Sequence, residues 1–213
     1  MPQRRGVFMA GTIGYVILGY LCGSVLFAQV FSKVFHKEGM IENSKDQNPG
    51  TANAFMQGGF WCGLLTLAGD VLKGFLPVFW FMHGEMAGDS HVLLQGLVIA
   101  APVIGHGFPL FYGFRGGKGI AVTFGCLLGL LPLWQPLGAL AVFFVFFSVV
   151  LRITPHYHRT LAAYLCTLAF VLCMGGGESV RVGFVIITLT VCTRLFSSRE
   201  VKEKMGVGLL WMH

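Results

Sequence analysis

Apolar sequence runs through this chain in blocks long enough to cross a bilayer, and that limits its fold more than any other feature. Seven blocks can be drawn, over Val7–Phe35, Ala54–Met82, Val92–Tyr112, Ile120–Leu131, Pro136–Leu151, Leu161–Met174 and Val180–Phe196. A helix needs about 20 apolar residues to span the hydrocarbon core. The fourth and fifth blocks fall short of that and are parted by Pro132 and Pro136. They stand as two short helices or join as one long kinked helix, so a count of five or six spans stays open beside seven. The expected fold is all-α: a polytopic transmembrane bundle of about seven spans, forming one integral-membrane domain over residues 1–213.

Composition agrees. Of the 213 residues, 55% are apolar and 11% charged, against about 25% charged in a soluble domain. The net charge of +6 does not point to nucleic acid, because the cations punctuate apolar runs and do not line one soluble face. The six cysteines sit inside apolar runs with no CxxC pair, which reads as small core residues. Arg4 and Arg5 before an apolar run imitate a secretory signal, but the run from Val7 to about Ala28 is longer than an h-region of roughly 7–15 residues, so a retained first span is expected.

Lysine and arginine set the orientation. With the N-terminus outside, the inner side holds Lys33, Lys37, Lys45, Arg115, Lys118, Arg152, Arg159, Arg194, Arg199, Lys202 and Lys204, and the outer side Arg4, Arg5 and Arg181. That asymmetry favours an outside N-terminus and a cytoplasmic C-terminus. It also brings the segments His36–Asn53, Gly105–Thr123 and Arg152–Thr160 to one cytoplasmic face.

Gly105–Thr123, GHGFPLFYGFRGGKGIAVT, is the stretch richest in chemistry. Arg115, Gly116, Gly117, Lys118 and Gly119 open directly into an apolar run. Flexible backbone beside fixed positive charge at a helix N-terminus suits a phosphate. At a membrane surface, the substrate is expected to be a lipid-related phosphate.

The same stretch resembles the signature of the bacterial acyl-phosphate:glycerol-3-phosphate acyltransferases, G-H-x-F-P-x-F-x-x-F-[KR]-G-G-K-[GA]-[VI]-A. Gly105, His106, Phe108, Pro109, Phe111, Phe114, Arg115, Gly116, Gly117, Lys118, Gly119, Ile120 and Ala121 carry the match. Asp70-Val71-Leu72-Lys73-Gly74 resembles the family's D-x-x-K-G, and Asn48, Gly50 and Asn53 fit its N-x-G-x-x-N skeleton. The resemblance implies transfer of a fatty acyl group from acyl phosphate to the 1-hydroxyl of glycerol 3-phosphate, giving lysophosphatidate and phosphate. It implies a multi-pass protein of the bacterial plasma membrane, working among membrane lipids with its site facing the cytoplasm. The donor is already an activated mixed anhydride, so no metal, nucleotide or other cofactor is required.

Each candidate residue has a plainer alternative. Lys118 and Arg115 would hold phosphate oxygens and stabilise transition-state charge, or serve only as positive-inside anchors. Asp70 and Lys73 share a helix face, as substrate-binding groups or as a structural ion pair. Asn48, Gly50 and Asn53 would bind glycerol phosphate, or form an ordinary turn and helix cap. His106 would take the hydroxyl proton as a base, or be a buried histidine bonded to a carbonyl. Gly116, Gly117 and Gly119 would let backbone amides reach the phosphate. Gly19-x-x-x-Gly23 and Gly59-x-x-x-Gly63 have helix-packing spacing. His156 and His158 lack a third metal ligand and read as an exposed loop.

The chain departs from the family pattern where Glu42 and Asp46 replace an arginine and a serine. Arg152–His158 lacks the family's serines, and Thr193–Glu200 lacks its histidine and asparagine. Arg152, His156, His158 and Arg199 are the candidate substitutes. Three rival readings follow: an acyltransferase with another acceptor, a non-catalytic paralogue that binds lipid phosphate, and a transporter. Retained acyl-phosphate binding without turnover would favour the paralogue. No inverted repeat supports the transporter.

Overall fold

The computed structural model describes residues 2–37, 39–44, 46–174, 176–198 and 205–209; Lys45, Arg199, Lys202 and Lys204 lie outside the described residues. The chain runs through α1 (Pro2–Gly23), α2 (Phe27–Val34), α3 (Thr51–Gly58), α4 (Phe60–Met82), α5 (Met86–Asp89) and α6 (Val92–Gly107). A 3-10 turn (Leu110–Tyr112) leads to α7 (Ile120–Leu128) and α8 (Gln135–Val145), which ends in a π-turn (Phe146–Val150). Then come β1 (Leu151–Thr154), α9 (His156–Met174), α10 (Glu178–Ser197) and β2 (Gly206–Leu209).

Among the described residues, five stretches are long and apolar enough to cross a membrane: Phe8–Val34, which joins α1 and α2, Phe60–Met82, Val92–Tyr112, His156–Met174 and Glu178–Ser197. The expected fourth and fifth spans do not reach that length. α7 has 9 residues and α8 has 11, parted by a turn over 129–134, so they are not one kinked helix. The second departure from expectation is a small antiparallel ladder, in which Leu151 pairs with Leu209 and Thr154 with Gly206.

α6 is the central post. Val98, Ile99, Ala100, Ala101 and Val103 are all fully enclosed, so the helix is buried all round, between α1 and α10. Small residues make this possible. A methyl on Gly105 would run into the Tyr20 carbonyl of α1, and one on Gly23 into the Pro102 carbonyl of α6. Gly74 and Gly125 do the same for α4 and α7, against the carbonyls of Val122 and Val71. The outer faces stay apolar: Ile17, Leu72, Leu165 and Leu189 are exposed. Trp61 and Trp80 are exposed near opposite ends of α4, about 28 Å apart at 1.5 Å per residue. That matches a hydrocarbon core of about 30 Å with an aromatic residue at each interface.

Gly19 and Gly23 do pack against another helix, as their spacing suggests, with Ala101 and Pro102 beside them. Gly59 and Gly63 do not form the expected helix-packing pair. Gly59 breaks the chain between α3 and α4 at φ +88 with nothing near it, and Gly63 faces Phe55 of the preceding short helix.

Candidate active site

The loop between α2 and α3 folds over the glycine loop between α6 and α7. Asn53, near the start of α3, organises the first loop. Its Nδ2 donates to Asp46 Oδ1 at 2.7 Å, to the Asn48 carbonyl at 2.8 Å and to Ser44 Oγ at 3.0 Å. Its amide nitrogen is therefore engaged by the loop, where the sequence suggested a ligand contact. Gly50 is the N-cap of α3.

The glycine loop is pressed against the end of α6. A side chain on Gly116 would collide with the His106 carbonyl, and one on Gly117 with His106 Nε2, with Asn48 Oδ1 close behind. Gly119 caps α7 at φ +80, a left-handed conformation that favours glycine. The Gly117 N–H donates to the His106 carbonyl at 3.1 Å, so this amide fixes the loop and is not open to a ligand. The orphan N–H groups of the first turn of α7 follow immediately. Arg194 of α10 braces the loop from the far side: its guanidinium donates to the Gly116 carbonyl and lies 5.5 Å from the Phe108 ring centre. Tyr20 of α1 donates to the Phe108 carbonyl at 2.9 Å, and the Leu110 N–H donates to Ser24 Oγ at 3.2 Å.

Lys118 is buried, and its ammonium lies 3.0 Å from Asp46 Oδ2. The sequence read Asp46 as an acid intruding on a phosphate site; the structure adds that it occupies the chief cation. Partial burial pushes the Asp46 carboxyl up, but hydrogen bonds from Asn53 and Lys118, the Lys118 charge and the Asn48 N–H outweigh it and hold the group below the ordinary carboxylate value. Arg115 is exposed at the rim.

Beneath the loop, three side chains meet in the bundle. Asp70, Lys73 and His106 are 1%, 6% and 2% exposed. Lys73 Nζ lies 2.8 Å from Asp70 Oδ1, 2.9 Å from His106 Nδ1 and 2.5 Å from the Val25 carbonyl. Thr51 Oγ1 reaches Asp70 Oδ2 at 3.5 Å.

Two cavities open here. One, of about 340 Å³, is polar and lies between the Asp46–Pro49 segment, Arg115–Lys118, Arg194, Ser197 and Ser198. The other, of about 920 Å³, is mainly apolar, bounded by Met56, Leu67, Ile120 and Phe124 and floored by Asp70 and His106. Both are lined by Asp46, Asn48 and Lys118. A polar cavity thus adjoins a larger, mainly apolar one.

The structure thus gathers Asn48, Gly50, Asn53, Asp70, Lys73, His106, Arg115, Gly116, Gly117, Lys118 and Gly119 in one region. Sequence reading missed Arg194, Ser197, Ser198 and Tyr20 as site residues. Arg194 was visible only as one more inner cation. Of the suggested substitutes, His156 starts α9, lines the larger cavity and bonds Thr160, while Arg152 sits in the β ladder. Among the described residues, no three His, Cys, Asp or Glu side chains gather as a metal site.

Comparison with known proteins agrees with this geometry. The family model for glycerol-3-phosphate acyltransferase matches residues 13–202. The chain is 43% identical to the glycerol-3-phosphate acyltransferase of Pseudoalteromonas translucida (strain TAC 125) over 112 residues, covering 53% of each chain and so about half the length of that relative. It is 33% identical to that of Chromobacterium violaceum over 199 residues, covering 90% of this chain and 91% of the other. A crystal structure of an integral membrane glycerol 3-phosphate acyltransferase in its glycerol 3-phosphate form superposes with a TM-score of 0.72 at 25% identity, over 86% of this chain and 88% of that one. Matched along most of its length in sequence and in fold, this chain belongs to the glycerol-3-phosphate acyltransferase family.

Proposed function

We propose that the protein transfers a fatty acyl group from acyl phosphate to the 1-hydroxyl of glycerol 3-phosphate at the junction of the two cavities. One observation carries the reading: a polar, cation-lined cavity and an apolar cleft meet at Lys118, inside the glycine loop that matches the family signature. The acyl chain lies in the cleft and the phosphates lie toward Lys118, Arg115 and the N-terminus of α7. The hydroxyl oxygen attacks the acyl carbonyl carbon. A C–O bond forms, the bond from that carbon to the phosphate oxygen breaks, and the hydroxyl proton leaves on the phosphate. Because the leaving group brings its own basic oxygens, the protein's task is to hold both reactants in line and stabilise the anionic transition state.

In this reading the site faces the cytoplasm, with the N-terminus outside. Five full spans, with α7 and α8 descending and returning as a pair, put the two ends on opposite sides, in agreement with the distribution of Lys and Arg.

The test is phosphate release by purified protein from palmitoyl phosphate, with and without glycerol 3-phosphate, beside Lys118→Ala. The expected result is acceptor-dependent release with lysophosphatidate formed, falling roughly 10²–10³-fold in the variant. Release that ignores the acceptor, or no turnover by folded protein, sinks the assignment.

A further inference from the structure

Asp70, Lys73 and His106 stand slightly apart from the phosphate cradle, and the acyl-transfer step above gives Asp70 and Lys73 no task. Charged groups this deep in a membrane helix are costly to keep, and these two do more than neutralise each other. An ammonium carries three protons and no acceptor. Lys73 has three partners: the Asp70 carboxylate at 2.8 Å, the Val25 carbonyl at 2.5 Å and His106 Nδ1 at 2.9 Å. A ring nitrogen facing an ammonium proton must accept it. Asp70 Oδ1 also stands 3.8 Å from Nδ1, beyond hydrogen-bond reach, so the ammonium is the hydrogen-bonding neighbour of Nδ1, and with Lys73 charged the network assigns the ring proton to Nε2. Nε2 is the nitrogen that lies against Gly117 of the glycine loop, and His106 lines the larger cavity.

We infer that Asp70 and Lys73 are positioning residues that lock His106 in its Nε2–H form, so that His106 donates a hydrogen bond to the anionic reacting group. The base role expected from the sequence does not survive this arrangement. Nδ1 is taken by Lys73, and Nε2 already bears its proton. His106 instead gives the site a fixed neutral donor, aimed where the carbonyl or phosphate oxygen gathers charge. The ion pair acts through the histidine: Asp70 keeps Lys73 charged, and Lys73 keeps the tautomer. The donor role rests on the acyl-transfer reading; the lock does not.

The lock is read in the resting protein by long-range proton–nitrogen NMR of histidine-labelled protein in nanodiscs, with His106 assigned by its loss in His106→Gln. The expected spectrum has an unprotonated Nδ1 and a protonated Nε2. A proton on Nδ1, or a mixture of both forms, overturns the inference. The double variant Asp70→Asn, Lys73→Met removes the ammonium without burying an unpaired charge. It should lose the single-tautomer signature and lower kcat about tenfold or more, as wrong-tautomer histidines do elsewhere, with little change in KM. A double variant with unchanged kcat overturns it. His106→Gln, which keeps an N–H near the Nε2 position, should retain more activity than His106→Leu, expected to lose roughly 10²–10³-fold. Equal loss in both folded variants removes the donor role. A locked tautomer in a protein that never turns over sinks the proposed function and the donor role with it. A mixed tautomer in an active enzyme sinks this inference alone.

Discussion

An incoming phosphate meets Lys118 already held by Asp46 at 3.0 Å, so binding exchanges one anion for another. Asp46→Asn should lower KM for the phosphate-bearing substrates by roughly two- to fivefold, the equivalent of a partly exposed ion pair of about 0.5–1 kcal/mol; steady-state kinetics on the purified variant check it. The pH dependence follows in sign. The Asp46 carboxyl lies below its unfolded value of about 3.9. Its contribution to stability is thus complete above that value and lost as pH falls through the lower folded value. Between pH 5 and 8, thermal unfolding should show no step that disappears in Asp46→Asn. The glycines of the loop were legible in the sequence because glycine is what a backbone pressed onto another backbone demands. The task of Asn53 was not, since an amide's direction depends on how a loop closes around it. Arg194 lies 78 residues from the carbonyl it braces, and no local pattern reports such a contact.

At several glycines the helices meet backbone to backbone. Gly105→Val should force α1 from α6, because the new side chain would meet the Tyr20 carbonyl. The expected cost is about 1–3 kcal/mol or more, seen as a lower unfolding temperature in detergent. Gly14→Ala, on the open side of α1 with nothing within 4 Å, should instead be neutral or stabilising by about 0.4–1 kcal/mol. At this scale the membrane class was readable from apolar character: among the described residues, five stretches are long and apolar enough to span. Reading failed where continuity decides. The spacing of Gly59 and Gly63 is the same whether or not the helix is broken between α3 and α4, and only the φ of +88 at Gly59 reveals the break. The fourth and fifth runs fall short of a span in the sequence, which left five, six or seven spans open; the turn over 129–134 separates them into two short helices.

Across the whole molecule, the proposed orientation makes a direct prediction. In a cysteine-free background, a cysteine at Gly84 should react with an impermeant maleimide added to intact cells, and one at Gln47 only after the membrane is opened. The reverse pattern would invert the assignment. The larger cavity has a consequence of its own. Met56 and Leu67, which help to line it, are exposed, at 69% and 36%, and Leu67 lies on the spanning helix α4, so in the proposed membrane setting its mouth opens beside lipid. A donor entering there is counted per unit area of bilayer, not per litre of solution. Diluting acyl phosphate with inert lipid at constant bulk concentration should then slow the enzyme, while adding more membrane of the same composition should leave its half-saturating mole fraction where it was.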